Sequence, residues 1–190
     1  MKSLNGCNME LSESDKAEFL GLLNRPLSRS HIQMVVRLIE ERQELIKLAV
    51  ETVESGSERE TVMASWLLSH LYDSHPGLLI THQSRMIELA LNTGSDSIRR
   101  NLLRIIEGIP LPEDQLSALF DRCLAWMISE NYAIAVRANA MQVLYRICCI
   151  EPGLTDELRA HILALQAFGS AGFKSRAKNV LKKLDALNKN

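Results

Sequence analysis

Helix-breaking residues recur along this 190-residue chain at nearly constant intervals, and that regularity limits what it can fold into. Gly56-Ser57, Gly94-Ser95 and Gly169-Ser170 form one series, with gaps of 38 and 75 residues, the second close to twice the first. The middle of the long gap falls near Glu130-Asn131, where asparagine can take the left-handed cap that glycine otherwise supplies. Proline sets a second series: His75-Pro76-Gly77, Pro110 with Pro112, and Glu151-Pro152-Gly153 each fall between two positions of the first. Proline cannot continue a helix and glycine accepts positive φ, so both series read as turns. A unit of about 37 to 39 residues follows, with two helices joined by a proline-containing turn.

The apolar residues between breakers have helical spacing. Ile98, Leu102, Ile105, Ile106 and Ile109 form one such stripe, and Leu116, Leu119, Phe120, Cys123 and Met127 another. Val136, Ala140, Val143, Leu144 and Ile147 repeat the pattern, as do Ala177, Val180, Leu181 and Leu184. Leucine outnumbers valine 30 to 8, which favours helix because β-branched side chains lose rotamer freedom there. The expected architecture is all-α and fills residues 1–190 as one domain. It comprises an N-terminal segment 1–27 with a helix over 12–24, helical hairpins at 28–56, 57–94, 95–131 and 132–169, and a basic capping segment 170–190 with a helix over 173–188. The stretch 28–54 reads either as two helices with a turn near Glu41 to Gln43 or as one long helix. Ser57 and Glu60 have capping-box spacing, and Thr155 ahead of Asp156 and Glu157 reads as an N-cap with acids in the first turn. A two-helix unit cannot bury its stripe alone, so neighbouring units must stack.

The helix starts can be superimposed: Ile98-Arg99-Arg100-Asn101-Leu102 on Val136-Arg137-Ala138-Asn139-Ala140, and more loosely Lys174-Ser175-Arg176-Ala177. The segment Ala135 to Leu144 resembles the V-R-x-x-A-x-x-x-L signature of HEAT and armadillo-type repeats. That resemblance, extending over residues 28–187, implies a right-handed α-α superhelix with second helices lining the concave side. It implies no single function.

No chemical motif stands out. The chain has no G-x-G-x-x-G, G-x-x-x-x-G-K, G-x-S-x-G or H-E-x-x-H. His31, His70, His75, His82 and His161 never pair as H-x-x-x-H, so they read as surface or turn residues. Cys7, Cys123, Cys148 and Cys149 include no C-x-x-C and read as buried thiols in a reducing compartment. The acids Glu40, Glu41 and Glu44 are accounted for by ion pairs with Arg37, Arg42 and Lys47 along a helix. We therefore expect no catalytic residue, no metal and no cofactor. The first 20 residues lack the apolar core of a signal peptide, and the longest apolar run is Leu124 to Ile128. A cytoplasmic protein without a membrane span is the expectation.

Charge supplies the remaining signal. The whole chain is −1, yet Lys174, Arg176, Lys178, Lys182, Lys183 and Lys189 face only Asp185 after residue 169, so that end is +5 and the rest −6. Lys174, Lys178 and Lys182 share one helix side. With Arg99, Arg100 and Arg104 they are the candidate patch for an anion or an acidic partner. Gln83, Glu88, Arg122, Arg159 and His161 are the candidates for the concave face. Trp66 and Trp126 are expected to pack against adjacent repeats, and either would anchor an interface if exposed. The function expected is non-enzymatic: a scaffold binding a protein or peptide. The alternative is a nucleic-acid binder resembling the HEAT-like DNA-alkylation-repair glycosylases, which hold DNA in a basic concave groove.

Overall fold

The computed structural model describes residues 11–26 and 28–187, so Cys7 and Lys189 lie outside the described residues. Among these residues are ten α-helices, three 3-10 turns and no strand. The helices are α1 (Glu13–Leu23), α2 (Arg29–Glu41), α3 (Glu44–Ser55), α4 (Glu58–Ser74), α5 (Gln83–Asn92), α6 (Asp96–Ile106), α7 (Leu116–Ile128), α8 (Ile134–Cys148), α9 (Thr155–Gln166) and α10 (Ala171–Leu187). The 3-10 turns Pro76–His82, Glu113–Gln115 and Pro152–Leu154 fall in the proline-containing connections. Residues 28–54 are two helices. The chain breaks at Arg42 (φ −130°, ψ 76°), whose guanidinium is 3.0 Å from Asp15 and 3.1 Å from Glu44.

Serine hydroxyls start α1, α2, α4 and α6. Ser12, Ser28, Ser57 and Ser95 each accept a backbone N–H of the following first turn. The capping box at Ser57 is closed by Glu60, which accepts the Ser57 N–H at 2.9 Å. Thr155 departs from the expectation. The 3-10 turn before it makes Leu154 the N-cap, and Thr155 is buried as the first residue of α9.

Helix ends depart from it as well. No described residue, glycine or other, has positive φ. Asn131 is therefore no left-handed cap, and α7 ends on extended Ser129 (φ −75°, ψ 129°). Gly56 is also extended (φ −70°, ψ 172°), and a Cβ there would come 2.8 Å from the Thr52 carbonyl oxygen. Close approach, not a left-handed backbone, excludes a side chain at that turn.

The helices form two layers. Helices α2, α4, α6, α8 and α10 lie side by side in the first, and α3, α5, α7 and α9 in the second. Neighbours in the first layer from α4 onward pack extensively, while neighbours in the second touch sparingly. Fully buried small residues, Ala64, Ser65, Ala140 and Ala177, let first-layer backbones approach. Consecutive helices meet most extensively across the short turns after α3, α5, α7 and α9. The proline-containing turns, expected to close each hairpin, instead hold their helices apart with 3-10 segments. A single cluster of buried residues runs between the layers, from Phe19 through Leu67, Leu102, Trp126 and Val143 to Leu184. The result is an all-α helical-repeat solenoid. No described helix is long and apolar enough to cross a membrane.

Candidate interaction faces

The first layer carries a ladder of polar side chains that steps from helix to helix. Asn101 on α6 donates to the Ser65 hydroxyl on α4 at 3.0 Å. Arg104 donates to Ser69 at 3.0 Å and to the Asp73 carboxylate at 2.5 Å. On α8, Asn139 donates to the Arg100 carbonyl at 3.2 Å, and Arg146 donates to the carbonyls of Glu107 and Ile109 at 2.6 and 3.3 Å. On α10, Arg176 is 3.6 Å from the Glu107 carboxylate. Lys183 donates to Gln142 at 3.3 Å and lies over the Tyr145 ring, 5.1 Å from its centroid. These contacts hold basic groups in place on rigid helices.

Glu107 sits in the middle of that ladder. Burial pushes its carboxyl above the usual range, and Arg176, Arg104, Lys183 and Arg146 all pull it back. Base content is uneven between the layers. Helices α6, α8 and α10 carry ten Lys and Arg against two acids, whereas α3, α5, α7 and α9 carry four against seven.

The expected anion patch is brought together only in part. Arg99 is a correction: it is 4% exposed, and its charge is not offered to the surface. Its guanidinium donates to Asp96 at 2.8 Å and to the Thr93 carbonyl, and lies over the rings of Trp126 and Tyr132. Arg100 is exposed, and Arg104 is half-buried against Asp73. Lys174, Lys178 and Lys182 are exposed on α10. Arg176 and Lys183, both outside the expected set, are the α10 residues that reach the α6 and α8 side chains. Lys174 and Lys178 stand two residues from Arg176, about 200° round the helix. Lys182 borders a shallow groove shared with Gln142, Arg176 and Lys183.

The five residues expected on the concave face lie on α5, α7 and α9, in the second layer. Gln83 is half-buried at the start of α5, and Glu88 binds Arg85 at 2.5 Å, which also reaches Glu54. Arg122 is exposed and donates to the Leu91 carbonyl at 3.4 Å. Arg159 pairs with Asp185 at 2.6 Å, and His161 is half-buried. None of their hydrogen bonds or ion pairs joins one of the five to another.

The two tryptophans differ. Trp126 is fully buried. Trp66 is half-buried and meets His70 edge to face, with ring centroids 4.6 Å apart. Both rings line an open groove of about 720 Å³ between α2 and α4. Of the thiols expected to be buried, Cys123 and Cys148 are, and Cys149 is exposed.

Neither curated proteins nor solved structures provide a match to this chain. A family model described as a HEAT repeat domain matches residues 19–184, from within α1 to within α10. With that match laid over a two-layered stack of repeating helices, the chain belongs to the HEAT repeat family.

Proposed function

We propose that this chain is a non-enzymatic scaffold that binds a protein or peptide through the outer face of the α2, α4, α6, α8 and α10 layer. The observation that carries the reading is the inter-helix polar ladder, which fixes basic side chains at repeat intervals on closely packed helices. The ladder commits Arg104, Arg146 and Arg176 but fixes the spacing of the helices that carry exposed Arg100 and Lys182, so an acidic partner meets preorganised bases. The reading includes a reducing, cytoplasmic setting, in keeping with free thiols at Cys123, Cys148 and Cys149. It shifts the interaction surface from the second helices to the first, because the second layer is acidic and its candidate residues do not converge.

A second reading, nucleic-acid binding, is favoured by the ten bases against two acids on α6, α8 and α10. Against it, Arg104 and Arg176 are committed to Asp73 and Glu107, and Arg146 to backbone carbonyls. A duplex needs many uncommitted cations along its phosphates.

The test is capture of partners by the wild-type chain and by the Arg100→Glu, Lys182→Glu double variant, with and without nuclease. Both residues are exposed, and because Arg100 also donates to Asn101 Oδ1 at 3.3 Å, the variant's thermal midpoint is compared with wild type before capture. A stoichiometric protein partner, resistant to nuclease and bound at least tenfold more weakly by the variant, supports the scaffold reading. Nuclease-sensitive capture with a steep loss of affinity as salt rises transfers the assignment to nucleic acid. A partner bound equally by both proteins removes this face from consideration.

A further inference from the structure

We propose that the groove between α2 and α4 is an anchor pocket for an acidic peptide: it seats one bulky aliphatic side chain against Trp66 and His70, with flanking carboxylates on Arg29 and Arg37. This rests on the scaffold reading and names the partner's chemistry at one end of the same face.

Four observations converge on it. The groove floor is apolar, made by Ile32 and Val36, and one wall is the Trp66–His70 pair. Trp66 is half-exposed, whereas the chain's other tryptophan is sealed in the core. Partly exposed aromatic rings in a preformed cleft supply disproportionate binding energy. The volume, about 720 Å³, lies within the range of about 300–1,000 Å³ for ligand-holding clefts.

Charge selects the ligand. Of the two acids bordering the groove, Asp73 is bound by Arg104 at 2.5 Å, and Glu40 is 3.2 Å from His75 Nδ1. Arg29 and Arg37 are exposed at the groove and have no ion pair or hydrogen bond among the described residues. With Asp73 paired to Arg104, two arginines stand against Glu40 alone, so the groove's balance is positive and a cationic peptide is disfavoured.

Spacing selects the pattern. Arg29 and Arg37 are eight residues apart on one helix, about 12 Å along its axis. An extended peptide covers that distance in about four residues. Its side chains at i, i+2 and i+4 point the same way. A Glu-x-Leu-x-Glu segment thus presents acid, anchor and acid on one face, in the order Arg–groove–Arg requires.

The test uses the full chain and three capped peptides: Gly-Glu-Ser-Leu-Ser-Glu-Gly, the same peptide with both Glu replaced by Lys, and the same with Leu replaced by Ser. Calorimetry and tryptophan emission are the readouts, since Trp66 is the tryptophan open to a ligand. The proposal expects saturable binding of the first peptide alone with a blue shift. It also expects a loss of at least tenfold in affinity in both Trp66→Ala, by calorimetry, and Arg37→Glu. Arg37 is exposed, so the second variant tests the site even if the first misfolds. No saturable binding, equal binding of the Lys peptide, or unchanged affinity in Arg37→Glu overturns it, as does tryptophan quenching by single-stranded DNA with no response to the peptide. Arg100→Glu, Lys182→Glu separates the two readings, because that variant must bind the peptide normally. If partner capture falls in that variant while the peptide never binds, the pocket fails and the scaffold face stands. If the peptide binds and partner capture ignores Arg100 and Lys182, the broader face fails.

Discussion

The guanidinium of Arg99 lies over the indole of Trp126, 4.9 Å from the ring centroid, in a position 4% open to solvent. Tyr132 covers it from 5.3 Å, and Asp96 binds it at 2.8 Å. Asp96 also accepts the Ala133 N–H at 2.7 Å, so the pair ties the start of α6 to the start of α8. Removing the Arg99 side chain leaves a void over Trp126 and Tyr132 and takes its hydrogen bonds from the Thr93 carbonyl and from Asp96, which is partly open to solvent. Arg99→Ala should cost about 3 kcal/mol in urea unfolding, and Arg99→Lys less, since the stem still packs but the planar fork is lost. A cost below about 1 kcal/mol for Arg99→Ala would contradict this role.

Asn101 and Ser65 form a buried side-chain hydrogen bond between α4 and α6. Asn101→Ala should destabilise the chain by about 1–2 kcal/mol, because the buried Ser65 oxygen loses the N–H it accepts and keeps only its own bond to the Val62 carbonyl at 2.8 Å. The Ser65→Ala, Asn101→Ala double variant should cost less than the sum, with a coupling near 1 kcal/mol. Additive costs in a double-mutant cycle would show that the contact is energetically idle.

Stability should fall as pH drops from 7.5 to 5.5. Burial holds both His70 and His82 below the usual imidazole value of 6.5. The unfolded chain therefore binds protons first, so their contribution is complete above pH 6.5 and is lost as pH falls through the folded values. His70→Gln with His82→Gln should flatten the thermal midpoint across that window. Below it, Asp15 and Glu60 are held under the usual carboxylate range by hydrogen bonds from Ser12 and Ser57, and their contributions disappear as they protonate. Glu107 has the opposite sign, since burial raises it and its ionised form weakens the fold.

Thiol reactivity should separate the adjacent cysteines. Burial pushes Cys148 up to about 11 and Cys123 higher still, while Cys149 is exposed. In a Cys7→Ser background, maleimide should label one thiol in the native chain and three after denaturation, with mass mapping to Cys149 first. Two fast-reacting thiols in the native chain would contradict this.

The fold was legible because its signals are local and redundant. Serine caps, proline turns and apolar stripes each point to the same helix boundaries, and Ser57 with Glu60 is a pattern visible in four residues. What escaped was anything decided by the neighbouring repeat. Arg99 looks like a surface base in its own helix. Its repeat equivalent, Arg137, is also buried, donating to the Met127 carbonyl at 3.1 Å beneath Phe173. The superposition of the two segments therefore held the clue: an arginine at the same point of two repeats is a packing residue. Arg176 and Lys183 were hidden for the converse reason. Their helix shows lysines on most exposed sides, and only the placement of α8 tells which side meets the ladder. Trp66 likewise needed α2 beside it before it became the wall of a groove. The helix ends misled because glycine serves close approach at Gly56 and Gly169, where added Cβ atoms would strike Thr52 and Phe173.

The unequal packing of the two layers has a mechanical consequence. Cross-linked by Arg104, Asn139, Arg146 and Lys183, the α4–α10 wall behaves as a stiff spine, whereas α3, α5, α7 and α9 meet their own neighbours lightly. Any flexing of the stack should therefore open the lighter wall before it stretches the spine. Whatever docks on that spine is measured against a ruler that keeps its graduations while the rest of the molecule breathes.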